Sequence, residues 1–447
     1  MTHPTDPQLW PANVTVTDGV LSLAGMSVTE LAGTYGTPSF LLDVADLRER
    51  AARYRDALVG AFAPLGVDVD VYYASKAFLS TAVARWVHAE GLRIDTAAHG
   101  ELATAIAAGI PGADIGLHGN NKSAAEITLA LGHGVGRIVI DSLPEIELVG
   151  SIAAELGVRA PVMVRVTTGV HAGGHEFIAT AHEDQKFGLS LASGAALEAM
   201  ERIHADDRLD LLGLHSHIGS QILDPAGFGE AARALLGLRA EFAERTGELV
   251  PEVDLGGGFG IAYVPGEEGV DVAALAADLA GLLATEAQAL GTTLPRLSFE
   301  PGRAIVGPTM ITLYTVGTVK PVVLDDGGSR LYVSVDGGMS DNIRTALYDA
   351  DYHAELVSRA TTAPTVTARV VGKHCESGDI VVRNVALPAD VDAGDLLAVP
   401  ATGAYGRSMA SNYNLLPRAG VVAVADGQAR EIVRRETIED VLALDMG

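Results

Sequence analysis

Residues 67–96 read VDVDVYYASKAFLSTAVARWVHAEGLRIDT, and the period of the chain changes twice within them. VDVDVYY (67–73) is a β-branched and aromatic run of strand type. STAVARWVHAEG (80–91) carries apolar residues at helical spacing and ends on Gly91. LRIDT (92–96) returns to strand. The same alternation continues outward through DIGLH (114–118), RIVID (137–141), PVMVRV (161–166), LLGLHSH (211–217), PEVDL (251–255) and PRLSFE (295–300), which makes eight strand runs. Helix candidates fill the intervals: 100–109, 123–132, 143–157, 193–205 and 271–290. Ser123, Ser142 and Ser193 stand where N-caps belong, and Gly109, Gly157 and Gly291 where helices stop. Eight strand–helix units suggest an α/β fold, a (β/α)8 TIM barrel; an open doubly wound sheet shares the alternation.

Beyond residue 310 the texture changes. TMITLYTVGTV, RLYVSVDGG, TVTARVVG, DIVVRNVAL, DLLAVPATGAY and AGVVAVADG are strands separated by Gly/Asp/Pro turns, and long helical stretches are few. This reads as a second, C-terminal β-rich domain. VTVTDGVLSLAG and PSFLLD, near the N-terminus, read as strands that join it. The expected division is 44–307 for the barrel and 308–447 plus 1–43 for the β-rich domain, with the boundary at Gly307-Pro308.

The chain of 447 residues has 31 Lys and Arg against 57 Asp and Glu, a net charge of −26. Such a surface repels phosphate backbones and anionic lipid, so neither a nucleic acid nor a membrane is an expected partner. Hydrophobic residues make up 48%, enough for a sizeable core. Cys375 is the single cysteine, so no intrachain disulfide can form, which suits a reducing compartment. The stretch MTHPTDPQLWPANVTVTDG lacks a basic region followed by an apolar run, and no stretch of about 18 uninterrupted apolar residues occurs. A soluble cytoplasmic protein is expected.

In a barrel, chemistry gathers where strands end. The eight ends carry Lys76, Asp95, His118 with Asn120 and Asn121, Asp141, Arg165, His217 with Ser220, Gly256-Gly257-Gly258, and Glu300 with Arg303. Each has an ordinary structural alternative: a helix cap for Asp95 or Asp141, a satisfied histidine for His217, an ion pair for Arg165, a snorkelling side chain for Lys76. Taken at the end of a buried strand, Lys76 is expected to be desolvated, which favours the amine that attacks a carbonyl. The glycines and Ser220 suit a phosphate. Glu300 suits a pyridine nitrogen, which it would keep protonated. A lysine, a phosphate cradle and that carboxylate together suggest pyridoxal 5'-phosphate, with no metal.

Tyr73-Ala74-Ser75-Lys76-Ala77, His118-Gly119-Asn120-Asn121-Lys122, His215-Ser216-His217-Ile218-Gly219-Ser220-Gln221, Gly256-Gly257-Gly258, Glu300-Pro301-Gly302-Arg303 and Cys375-Glu376-Ser377-Gly378-Asp379 occur in this order. The set strongly resembles the fold-type III pyridoxal-phosphate decarboxylases, in their diaminopimelate decarboxylase branch, from about residue 36 to the C-terminus. The resemblance implies a lyase that releases CO2 from meso-2,6-diaminopimelate to leave L-lysine, the last step of lysine biosynthesis. It places the cofactor-bearing lysine on Lys76 and the ring-stacking histidine on His217. Cofactor contacts fall on Asp95, Ser220, Gly256, Gly257, Gly258, Glu300, Gly302, Arg303 and Tyr405. Substrate contacts fall on Arg303, Arg344, Tyr348, Glu376 and Tyr405, and the proton donor on Cys375. It also implies a homodimer with shared active sites, each partner lending Cys375 to the other.

Two arginines suit a substrate that keeps one carboxylate after reaction. Relatives acting on ornithine, arginine or carboxynorspermidine are the competing enzymes, and a binding homologue without chemistry is the third reading. Two departures from the family pattern are His99 before Gly100-Glu101-Leu102, and Gly406-Arg407 after Tyr405.

Overall fold

The structure is a computed structural model that describes residues 6, 8–170, 186–224 and 226–447. The first residues of the N-terminal stretch read above for a secretory signal lie outside the described residues. The chain divides into two compact units. One comprises residues 51–260 and 270–302; the other comprises 1–50, 261–269 and 303–447.

The first unit is a closed barrel. Its strands are β1 (Val69–Ala74), β2 (Arg93–Thr96), β3 (Ile115–Leu117), β4 (Arg137–Ile140), β5 (Ala160–Thr167), β6 (Leu209–His215), β7 (Glu252–Asp254) and β8 (Arg296–Phe299). Each pairs in parallel with the next, and β8 returns to β1 through Leu297–Val69 and Phe299–Val71. Closure excludes the open sheet. All eight strand runs read from the sequence are strands. The β-branched content that marked them reflects burial on both faces, as parallel sheets require.

The helices α1 (Thr81–Ala89), α2 (His99–Ala107), α3 (Ala124–His133), α4 (Leu143–Leu156), α5 (Ala195–His204), α6 (Ala226–Thr246) and α7 (Val272–Ala289) connect the strands. Ser123 opens α3 with a reciprocal capping box to Glu126. The other two expected caps differ. Ser142 sits at the N-cap of α4 without a side-chain bond, and α5 is capped at Gly194, one residue beyond Ser193. Helix α6 has no counterpart in the sequence reading, because its glycines dilute the apolar stripe. Gly229 answers a packing need: a Cβ there would stand 3.2 Å from Leu282 of α7.

Helix α7 is long and apolar enough to cross a membrane by length and composition. Its buried residues, Val272, Leu275, Ala276, Leu279, Ala280, Leu283 and Ala287, follow helical spacing, and Asp278 is exposed. That is the stripe of a helix packed against a core.

In the second unit, β9 (Met310–Val323), β10 (Ser329–Val335), β11 (Thr365–Val371), β12 (Ile380–Pro388), β13 (Leu396–Val399), β14 (Gly420–Ala425) and β15 (Gln428–Val433) form one mixed sheet. The strand Ser39–Asp43 enters it as a central member, antiparallel to β9 and parallel to β14. All five of its residues are buried. The earlier run VTVTDGVLSLAG does not join this sheet. It forms a small one of its own, Val14–Thr17, Val20–Leu23 and Met26–Ser27.

Candidate active site

The barrel strand ends are tied together by backbone before any chemistry is considered. The Ser75 N–H donates to Asp95 O at 3.0 Å, the Ala74 N–H to Pro301 O at 3.3 Å, and the Tyr73 hydroxyl to Phe78 O at 2.6 Å. A Cβ on Gly302 would meet Ala74 O at 2.8 Å, so only glycine lets the 300–303 segment pass beside the turn carrying Lys76. That turn is fixed and Lys76 projects from it, exposed. Exposure removes the burial on which the sequence argument for a desolvated amine rested. What remains is position: the Lys76 charge acts on His217 and on Glu101.

The loop glycines are equally constrained. A Cβ on Gly256 would stand 2.6 Å from Ser216 O, on Gly257 2.1 Å from Glu300 O, and on Gly258 2.4 Å from Gly219 O. Close approach of three strand-end loops therefore demands glycine here whatever else the loop binds. The Gly257 N–H donates to His217 Nδ1 at 3.2 Å. That nitrogen is thus an acceptor and the proton sits on Nε2. Burial, with the charges of Lys76 and Arg165, holds the His217 pKa well below the usual range, so the ring is neutral.

Glu300 is the centre of the barrel's charge. Its Oε1 lies 3.1 Å from His118 Nε2, 3.3 Å from His215 Nε2 and 3.4 Å from Arg137 Nη2, and His118 Nε2 is also 3.0 Å from Asp95 Oδ1. Burial opposes charge on both imidazoles. On His118 the Asp95 and Glu300 carboxylates outweigh it and push the pKa up to about 9. On His215 burial wins, with the His118 and Arg165 charges adding to it against Glu300, and the pKa falls to about 3. Burial likewise opposes charge on Glu300, but the two histidines hold it well below the usual carboxylate range. The outcome is an anionic Glu300 between a cationic His118 and a neutral His215, whose rings cross at 4.8 Å and 75°.

Arg137, on β4, was not among the strand-end candidates. It is 1% exposed, lies 3.6 Å over the Tyr72 ring and donates to Glu252 and Ser298 at 2.9 Å each, and to Asp254. Its charge does not fully offset the burial of Asp254 beside Glu300, and the Asp254 pKa rises to about 7. Asp141 and Arg165, 3.8 Å apart, form the ion pair expected as the ordinary alternative.

These residues fit a bound pyridoxal phosphate. Ser75 Oγ, Ser216 Oγ and His215 Nδ1 are buried without a hydrogen-bond partner among the described residues, so polar capacity remains at the strand ends. An anionic Glu300 matches a protonated ring nitrogen. Ser220, half-buried, stands on the loop after β6. One carboxylate oxygen of Glu300 and the nitrogens of His118 and His215 lie within 4.8 Å of one another, a separation that could also hold a metal ion.

The second unit holds a separate cluster. Arg303 donates to the Tyr263 hydroxyl and lies 4.6 Å over the Tyr405 ring. Arg344 donates to the Tyr352 hydroxyl at 2.6 Å and lies 4.6 Å over the Tyr263 ring. Both arginines are buried. Tyr263 and Tyr352 are absent from the sequence reading, since loops carry no periodicity to flag them. Tyr348, half-buried, ends the short helix Arg344–Tyr348.

Cys375 and Glu376 stand apart on an exposed turn. The turn is anchored from both sides. Asp379 accepts from the backbone N–H of Met339 at 2.6 Å and of His374 at 2.7 Å, and the His374 ring contacts Ser340 Oγ at 2.8 Å and Asn414 Oδ1 at 3.0 Å. Of the two departures, His99 opens α2 with its N–H on Glu126, and Gly406 has no room for a side chain, since a Cβ would meet Thr402 O at 2.6 Å.

The charge split gives a stability prediction. His118 has a folded pKa of about 9, above its unfolded value of about 6.5. Its contribution is therefore complete below pH ~6.5 and is lost as pH rises through 9, at most about 3 kcal/mol. Urea unfolding at pH 6.5 and 9.5 should show this loss in the wild type and a flatter response in His118→Asn. Equal pH responses would contradict it.

The family model for the pyridoxal-binding domain of pyridoxal-dependent decarboxylases matches residues 44–307. The chain belongs to the pyridoxal-dependent decarboxylase family. It is 53% identical to the diaminopimelate decarboxylase of Mycobacterium leprae, over 98% of this chain and 92% of that one. It is 44% identical to that of Bacillus subtilis, over 96% and 95%. The structure of the diaminopimelate decarboxylase of M. jannaschii in complex with L-lysine superposes with a TM-score of 0.89 at 30% identity, covering 98% of each chain.

Proposed function

We propose that this chain is a pyridoxal-phosphate-dependent lyase that converts meso-2,6-diaminopimelate to L-lysine and CO2, the closing step of lysine biosynthesis. The observation that carries the substrate is Arg344. It is a buried guanidinium with no carboxylate within ion-pair distance among the described residues, beside a second buried guanidinium, Arg303. A buried cation without a counter-ion is costly, and a ligand carboxylate removes that cost. Diaminopimelate has a distal carboxylate to offer and ornithine has none.

Bound pyridoxal phosphate supplies the electron sink that accepts the electron pair left when CO2 departs. The remaining work belongs to the chain. Lys76 supplies the amine that holds the cofactor. Glu300, kept anionic by His118, holds the proton on the ring nitrogen, so the sink stays cationic. His217, neutral and fixed through Nδ1, would pack against the cofactor ring. Asp95, Ser220, Gly256, Gly257, Gly258, Gly302 and Tyr405 complete the cofactor contacts. Arg303 and Arg344 hold the distal carboxylate, aided by Tyr348 and Tyr405, and Glu376 suits the substrate's distal ammonium group. Cys375 delivers a proton from Sγ to the carbon that lost CO2. We assign this thiol to the neighbouring subunit of a homodimer and the enzyme to the cytoplasm. Along the sequence we assign cofactor binding to residues 44–307 and the β-rich part to 308–447 plus 1–43, a division that differs from the compact units at residues 44–50, 261–269 and 303–307.

Arg344→Ala should lower kcat/KM for meso-diaminopimelate by about tenfold to a hundredfold, since a charge-assisted contact contributes about 1.5–3 kcal/mol. A substrate panel with the purified wild type decides the assignment. Ornithine turned over as well as diaminopimelate would overturn it.

A further inference from the structure

Tyr263 lies on the short segment 261–269, which leaves the barrel sequence and belongs to the second unit. Its ring is met by two guanidiniums: Arg344 Cζ at 4.6 Å from the centroid and Arg303 Cζ at 5.8 Å. Its hydroxyl accepts from Arg303. A second aromatic, Tyr352, meets it edge-on at 5.1 Å and holds Arg344 through its own hydroxyl. Two like charges are thus gathered around one phenol in a buried place, where their repulsion is weakly screened. Something must hold them together before an anionic ligand arrives. The electron-rich ring face attracts Arg344, and the phenol oxygen accepts from Arg303.

We propose that Tyr263 is a positioning residue for substrate recognition: it holds Arg303 and Arg344 at the spacing that receives a single carboxylate, and its oxygen stands in for that carboxylate while the subsite is empty. The inference rests on the reading that these arginines bind the distal carboxylate of the substrate.

A consequence concerns pH. The groups facing Tyr263 are Arg303, Arg344 and Tyr352, and on its own segment Glu267, which accepts the Tyr263 backbone N–H at 2.9 Å. Burial opposes ionisation of Tyr263, but the two arginines overcome it and bring its pKa below the ordinary phenol value. Once ionised, the phenolate competes with the substrate carboxylate for the same pair of cations. In the wild type, KM for diaminopimelate should therefore climb as pH rises toward 10, with kcat changing less.

The test compares wild-type holoenzyme with Tyr263→Phe. At pH 7.5 the variant should show KM raised about tenfold, the effect of one lost charge-assisted hydrogen bond, with kcat within about twofold. Its KM should lack the alkaline rise. Independently of turnover, phenolate absorbance near 295 nm should show in the wild type a component that titrates below the ordinary phenol range and is missing from the variant. A variant with wild-type KM at both pH values, or an unchanged phenolate titration, overturns the proposal. Misfolding is recognised by Tyr263→Leu. A variant that is only misassembled should lose kcat, whereas loss of arginine placement should raise KM and leave the melting temperature near that of the wild type. If the wild type does not act on diaminopimelate at all, the assignment of substrate fails rather than the role of Tyr263.

Discussion

Lys76→Ala should abolish the visible absorbance of the bound cofactor and reduce turnover by about a thousandfold or more, the scale on which removing a covalent group acts, while leaving the fold untouched. Both halves of this expectation come from the structure. The turn that carries Lys76 is held by main-chain bonds from Ser75 to Asp95 and from Ala74 to Pro301, and by Gly302 packed beneath it, none of which involves the lysine side chain. The side chain itself is exposed. Truncating an exposed side chain away from such ties changes stability by about 0.5 kcal/mol or less. The variant is therefore a clean removal of one amine, and thermal unfolding checks that half of the claim. Absorbance spectra and assays with diaminopimelate check the other. Wild-type absorbance and turnover in Lys76→Ala would overturn the assignment of the cofactor to this lysine.

Mixing two inactive proteins should restore activity. Lys76→Ala and Cys375→Ala are each expected to be nearly dead. If every site takes Lys76 from one subunit and Cys375 from the other, an isologous dimer has two equivalent sites. After subunit exchange at equal concentrations, half of the dimers are hybrids. Each hybrid contains one site with both lesions and one with neither, so recovery should approach roughly a quarter of wild-type activity by this symmetry count. The exposure of Cys375 removes one rival, a thiol buried in its own core. The rival left standing is a thiol serving its own subunit, under which no hybrid contains an intact site. Differently tagged chains establish exchange. Hybrids that form and stay inactive would end the shared-site model.

The sequence and the structure agree where a local rule suffices. Burial of parallel strands on both faces leaves runs such as RIVID and PVMVRV, and these are legible without any fold. Chemistry at strand ends is legible for the same reason, and it points to Asp95, His217 and Glu300 from the sequence alone. Arg137 escaped because the rule looks only at strand ends. It begins β4, yet its long side chain crosses the barrel interior to Asp254 on β7 and Ser298 on β8. A charged residue at the start of an otherwise apolar strand, RIVI, was the available signal. Lys76 was found for a reason that does not hold, since burial of a strand does not bury the residue that leaves it. Tyr263 and Tyr352 lie in loops far apart in the chain, and only folding brings their rings together. Helix α6 was missed because Gly229 fits the packing of α7, a requirement that a helical pattern cannot express.

The placement of Ser39–Asp43 between β9 and β14 has a consequence for synthesis of the chain. This strand leaves the ribosome about 380 residues ahead of its parallel partner, Gly420–Ala425. At about 5–20 residues per second, the strand waits on the order of tens of seconds for its neighbours. Until Met310–Val323 appears, SFLLD, buried at every position in the finished protein, has both edges open, and from then until Gly420–Ala425 appears it has one. The strand thus depends on a segment far downstream, and a nascent chain cut short before Gly420 leaves it unpaired on one side. Chaperone occupancy on stalled ribosomes carrying such chains is where this exposure would be seen.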